Sequence, residues 1–305
     1  MYSESLPRDV MLFCKAVLSN QMARFAPRVY VRMTRETGRG HASRSAVDLA
    51  EYFERCCDDY FRALGTPVVE ERRFLRGKAV LEYGPGDILG VALLLYARGA
   101  AHVECVDRFP LERISDLNLE TYRCLLSRMS PDDRERASGA FKVRGDPASG
   151  FDPAAIEYAV TTDGLSGRSA AFDMVISRAV LEHVNDLPRT ISDIARALKP
   201  GGVSVHEVDL KSHGLDRYRV FDFLTWPERL YRWMYGRKGF PNRWRVDRYR
   251  ALFDATGLQV RVLTPTSILG AEELEPILPK LAHPFRNIPL DELRWAGFWI
   301  VLDRP

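Results

Sequence analysis

A chain of 305 residues can bury a large core, as one big domain or as one domain with a smaller attached piece. Its 46% hydrophobic and 28% charged content is that of an ordinary globular protein, and a net charge of +3 is too small to imply a nucleic-acid partner by itself. No apolar run is long enough to span a bilayer, and Met1 to Ser5 lacks the basic start and apolar block of a signal peptide. A cytoplasmic protein without a membrane partner is expected. The five cysteines (Cys14, Cys56, Cys57, Cys105, Cys124) show no paired-ligand spacing and read as reduced thiols. The six histidines form no HExxH-like pattern, so no metal is expected.

Residues 7 to about 36 carry apolar positions at helical spacing (Val10, Met11, Cys14, Val17, Leu18). Thr37-Gly38-Arg39-Gly40 closes that stretch. Ser43 or Ser45 can cap a second helix over about 46 to 64, stopped by Gly65-Thr66-Pro67. These elements, within residues 1–76, predict a helical cap on a main domain at 77–305.

From Gly77 the pattern turns to strand–helix alternation. Strands are predicted at 79–83, 101–106, 156–160, 172–177, 203–208, 258–263 and 298–302. Helices are predicted at 87–98, at 111–137 with a break at Ser130-Pro131, at 187–198, and at 246–256. This alternation argues for a mainly parallel sheet covered on both faces. It is interrupted by segments at about 209–245 and 264–294. The first is crowded with aromatics and arginines.

The chemistry centres on Glu82-Tyr83-Gly84-Pro85-Gly86, where a strand runs into a glycine turn. A dinucleotide fingerprint would need a third glycine at position 89, which is Leu. Asp87 at the expected helix start would repel a pyrophosphate, and Glu82 suits a cationic ligand. Asp107, at the end of the second strand, can accept both hydroxyl hydrogens of a ribose. A nicotinamide-dependent oxidoreductase is therefore disfavoured.

Together these features resemble class I S-adenosylmethionine-dependent methyltransferases. Glu82 to Gly86 looks like that family's E/D-x-G-x-G loop, and Asp107 like its ribose-binding acid. Asp163-Gly164-Leu165 resembles the acidic element that meets adenine, although Ser166-Gly167-Arg168 follows where the family often has Pro-Phe. Phe172 to Ser177, Val180-Leu181-Glu182-His183-Val184 and Leu198 to Gly202 resemble motifs that follow in the same order.

The resemblance implies an α/β Rossmann-like, doubly wound seven-stranded sheet with its last strand antiparallel. It implies cofactor contacts at Glu82, Tyr83, Gly84, Pro85, Gly86, Asp107, Arg108, Asp163, Gly164, Ser177 and Arg178. It also implies methyl transfer from S-adenosylmethionine to a small-molecule oxygen or nitrogen, with the N-terminal helices and the 209–245 segment as a lid.

His183 and His213, both following strand ends, are the candidate bases, while His206 within a strand reads as structural. Arg243 and Arg245, in Asn242-Arg243-Trp244-Arg245, either hold an anionic substrate group or pin the lid. The basic, aromatic stretch at 218–250 reads as lid in preference to an RNA surface. RNA methylation, cofactor binding without catalysis and a non-methylating use of the cofactor stand as alternatives. Oligomeric state is left open.

Overall fold

In a computed structural model that describes residues 6–34 and 45–305, the chain forms seven strands and twelve α-helices among the described residues. The elements run α1 Leu6–Phe25, α2 Pro27–Thr34, α3 Ala46–Leu64, α4 Val68–Leu75, β1 Ala79–Tyr83, α5 Gly90–Ala97, β2 His102–Asp107, α6 Asp116–Arg128, α7 Pro131–Ser138, β3 Ile156–Val160, β4 Phe172–Arg178, α8 Leu187–Ala197, β5 Leu198–Asp209, α9 Glu228–Tyr235, α10 Val246–Asp254, β6 Gln259–Ile268, α11 Ala271–Leu274, α12 Leu290–Leu293 and β7 Trp295–Asp303. The turn expected at 37–40, the Ser43 cap and the segment Met1 to Ser5 lie outside the described residues. No helix among the described residues is long and apolar enough to cross a membrane.

The strands form one sheet in the order β3-β2-β1-β4-β5-β7-β6. β1 to β5 pair in parallel, and β7 runs antiparallel between β5 and β6. This is the predicted Rossmann-like sheet with a reversed last strand. Alternate side chains of each strand feed two cores. Val80, Val103, Cys105, Met174 and Ile176 join α3, α5 and α6 on one face. Leu81, Tyr83, Val106, Val175 and Phe298 join α8 and α10 on the other. A third cluster links Ala16 of α1 with Phe221, Phe223, Tyr231, Tyr235 and residues of the 274–296 segment.

Several boundaries differ from the sequence reading. The single helix expected over 7–36 is two helices, because Pro27 has no N–H for an intrahelical bond and starts α2 instead. Ser45 forms a capping box with Asp48, and Gly65 closes α3 in the left-handed conformation at φ 71°. The helix after the glycine turn begins at Gly90, not at Asp87. Positive φ at Gly84 and Gly86 (63° and 79°) carries the chain through an irregular path first. Asp87 sits in that path, buried, with Arg113 3.6 Å away. β6 extends to Ile268, so the second interruption starts later than 264. β5 reaches back to Leu198 through a register shift at the Lys199-Pro200-Gly201-Gly202 stretch.

Candidate active site

The carboxyl ends of β1 and β2 carry the acids and glycines. Gly84 donates its N–H to the carbonyl of Val106 at 2.8 Å, locking the turn to the neighbouring strand. A Cβ on Gly84 would lie 2.5 Å from Val180 Cγ2, so only glycine fits there, on φ as well as on space. Pro85 and Gly86 are buried beside it. Glu82 is 6% exposed, its carboxylate 3.6 Å from the Cys105 thiol. Burial pushes its pKa up to about 7. Asp107 is half-buried and accepts the Phe109 N–H at 3.0 Å, and burial pushes its carboxyl up to about 6. Arg108 stacks over Phe109, 4.5 Å from the ring centre, and burial lowers its guanidinium to about 10. Gly164 approaches Arg108 so closely that an added Cβ would be 3.3 Å from Arg108 Cβ. Asp163 pairs with Arg189 at 2.6 Å.

Glu82, Gly84, Gly86, Asp107, Arg108 and Gly164 thus meet at one edge. Three other expected contacts are directed elsewhere. The Tyr83 hydroxyl donates to Asp193 at 2.6 Å, inside the core, and Asp193 also accepts the N–H groups of Ser166 and Gly167. The Ser177 hydroxyl bonds His206 Nδ1 at 2.7 Å. Arg178 pairs with Asp59 at 3.0 Å and Glu207 at 2.8 Å. His206 itself is fully buried between Ser177 and Ser204, and burial lowers it to about 3.

The edge fits a cationic nucleoside. Among the described residues neither Glu82 nor Asp107 has an ion-pair partner, and each is held by burial at a raised pKa that a positive or hydroxyl-bearing ligand would relieve. The glycines allow close backbone approach without any phosphate-binding array.

Across from this edge, β4 ends in a short 3-10 turn, Leu181–His183. Val180, the residue against Gly84, leads directly into it. Glu182 is 1% exposed, and its carboxyl oxygens accept no hydrogen bond from another side chain among the described residues. Its Oε1 lies 3.8 Å from His183 Nε2 and 4.0 Å from His213 Nε2. The two imidazole rings stand edge to face, centroids 4.7 Å apart. His213 adopts φ 50°, a left-handed conformation uncommon outside glycine, with Asp209 Oδ2 3.9 Å from its Nε2. Burial raises the Glu182 carboxyl well above its usual range. Burial, then the neighbouring His213, lowers His183 to about 3.

The two predicted bases are therefore brought together from 30 positions apart, around a buried acid that no spacing rule singled out. The only sequence signal for Glu182 was its place in the Leu-Glu-His segment.

Asn242 fastens the 210–245 segment to this turn. Its N–H donates to the Glu182 carbonyl at 2.6 Å, and its Nδ2 donates to Leu181 O at 2.8 Å. Arg243 and Arg245, candidate substrate ligands in the sequence, are 2% and 1% exposed. Arg243 donates to the carbonyls of Trp226 (2.7 Å) and Phe223 (3.3 Å) and pairs with Glu228. Arg245 donates to the carbonyls of Leu210 (2.9 Å), Leu293 (3.0 Å) and Trp295, with its guanidinium 4.5 Å from the Phe221 ring centre. Of the two roles open to these arginines, their donors serve the one that pins the segment.

A family model described as a methyltransferase domain matches residues 49–263. No curated protein matches the chain. Among solved structures, the chain is similar to an S-adenosylmethionine-dependent methyltransferase from Mesorhizobium loti, at 18% identity over 75% of this chain and 92% of that one, with a TM-score of 0.44. A Haemonchus contortus phosphoethanolamine N-methyltransferase 2, in complex with S-adenosyl-L-methionine, matches at 18% identity over 81% of this chain and 53% of that one, TM-score 0.44. The [4+2]-cyclase SpnF matches at 15% identity over 88% and 86%, TM-score 0.39.

Proposed function

The chain belongs to the methyltransferase-domain family, with S-adenosylmethionine as its cofactor, and on that premise we propose that it methylates a small-molecule acceptor held under the 209–245 lid. The cofactor supplies a methyl group on a sulfonium, which is already an activated leaving group. Glu82 receives its positive end, Asp107 its ribose hydroxyls, and the Asp163-Gly164 loop beside Arg108 its adenine. Because so little activation is required, the protein's main contributions are alignment and exclusion of water.

The observation that carries the reading is the Glu182–His183–His213 cluster. It follows Val180, which lies against the glycine turn, so polar groups able to hold or deprotonate an acceptor border the cofactor edge. The segment is tied down by Asn242 and packs Phe221, Phe223, Tyr231 and Tyr235 inward, which suits an enclosed small acceptor. The same packing weighs against RNA, since Tyr231 and Tyr235 are buried and Arg243 and Arg245 are buried with their terminal guanidinium nitrogens bonded to the chain itself.

A turnover assay that follows S-adenosylhomocysteine release across small phenols, enols, amines and total RNA tests the reading. Release with a small acceptor is the expected result. Release with RNA alone overturns it, and binding of the cofactor without release from any acceptor favours a non-catalytic or non-methylating role.

A further inference from the structure

We propose that Glu182, His183 and His213 form a binding site for one divalent transition-metal ion, open toward the acceptor side of the cleft. The three side chains bring one carboxylate and two imidazole donors within 4.8 Å of one another. One carboxylate with two imidazoles is a donor set suited to zinc and its first-row neighbours, leaving a coordination position for water or substrate.

Glu182 is the acid that a bound cation would meet. At 1% exposure and, among the described residues, with no basic side chain but the two imidazoles near it, its carboxyl holds a charge only when a cation meets it. The imidazoles do not meet it by hydrogen bonding, because 3.8 and 4.0 Å exceed a hydrogen-bond length. The gap has the dimensions of an ion instead. Ligand atoms held at about 2.0–2.2 Å from one centre lie roughly 3.0–3.6 Å apart, so closing the observed spacing takes side-chain shifts of about half an ångström. His183 Nδ1 is a further buried ring nitrogen without a side-chain partner at the cluster. The backbone supports the arrangement: His213 is kept at φ 50°, and Asn242 holds the Glu182 carbonyl.

A second grouping, His102, Glu104 and Glu157, sharpens the contrast. There the Arg168 guanidinium already sits 3.0 Å from Glu104 and 3.7 Å from Glu157, so the acids have their cation. Among the described residues Glu182 has no arginine or lysine within ion-pair distance.

Ion binding stands on geometry alone; its role rests on the methyl-transfer reading above. On that reading the acceptor is a hydroxyl, because a metal-bound oxygen acid loses its proton near neutral pH. The acceptor O–H gives its proton to solvent, the O–C bond forms as the C–S bond breaks, and the electron pair stays on sulfur.

The test titrates chelator-stripped, full-length protein with Co2+, read by visible absorption, and with Zn2+, read by calorimetry. One ion per chain is expected. Glu182→Gln and His213→Asn are each expected to weaken binding by about tenfold or more, with S-adenosylmethionine affinity retained. Asn tolerates the left-handed backbone at 213, so that variant decides the matter even if Glu182→Gln fails to fold. His102→Ala is expected to leave binding unchanged. Absence of stoichiometric binding, binding that survives His213→Asn, or binding lost in His102→Ala overturns the proposal. Failure of the methyl-transfer reading looks different: no cofactor binding and no methyl release while the ion still binds.

Discussion

The backbone N–H of Asn242 donates to the carbonyl of Glu182 at 2.6 Å, so the 210–245 segment is anchored on the residue between His183 and His213. The Asn242 side chain repeats the attachment at Leu181 O. Asn242→Ala keeps the first bond and loses the second. About 1 kcal/mol of stability is expected to go with it. Turnover is expected to fall more than cofactor affinity does, because the loosened turn carries His183 and not the glycine loop. Calorimetric cofactor binding beside steady-state turnover checks this, and equal loss in both would contradict it.

Gly84 is constrained twice, by φ 63° and by Val180 Cγ2 at 2.5 Å from any added Cβ. A left-handed alanine costs about 1–2 kcal/mol before the overlap is counted. Gly84→Ala is therefore expected to weaken S-adenosylmethionine binding by about tenfold or more on that scale. Adding Val180→Ala removes the overlap but not the backbone cost, so the double variant is expected to recover part of the affinity. Equilibrium binding of the three proteins decides the point.

The pH dependence of the ligand-free protein follows from Glu82. Its carboxyl is raised from 4.5 to about 7, so the folded state holds a proton that the unfolded chain has released. Stability from this group is complete below about 4.5 and is lost as the pH rises through about 7. A rise of this size corresponds to about 3 kcal/mol. Asp107, raised from 3.8 to about 6, acts in the same sense. Urea denaturation from pH 5 to 8 is expected to show the decline, flattened in Glu82→Gln. A cationic cofactor draws both acids toward their charged forms, so binding is expected to release protons and to weaken below about pH 7. Calorimetry in buffers of different ionisation heat measures that release.

Arg245 donates to three backbone carbonyls from a fully buried position. Arg245→Met removes every donor at once and leaves buried carbonyls unpaired. The expected loss is about 3 kcal/mol or more, read as a lower denaturation midpoint. Arg245→Lys is expected to recover little, since a single ammonium cannot reproduce the planar fork. A variant as stable as the parent would return Arg245 to the list of substrate ligands.

The sheet was legible because its causes are local. Val80 and Leu81 alternate between two cores, Gly65 and Gly84 supply left-handed turns, and Ser45 and Ser130 cap helices with their own side chains. The helix starts at Gly90 and not at Asp87 because the left-handed glycines set the path through Asp87, which helical periodicity does not record. Tyr83 and Ser177 were expected at the cofactor by their place in motifs. Strand alternation turns Tyr83 toward Asp193, and Ser177 meets His206 on the adjacent strand. The arginines of Asn242-Arg243-Trp244-Arg245 look like ligands in a linear chain, because the carbonyls they satisfy lie 17 to 50 residues away. The Glu182–His213 approach is likewise visible only once β5 and the turn after β4 are side by side.

The central claim is an S-adenosylmethionine site at the ends of β1 and β2, and calorimetric titration of the purified protein tests it most directly. One-to-one binding of S-adenosylmethionine and S-adenosylhomocysteine, lost in Asp107→Ala and absent for NAD, is the result expected. Tight binding of NAD with no heat from either sulfur nucleoside would contradict it.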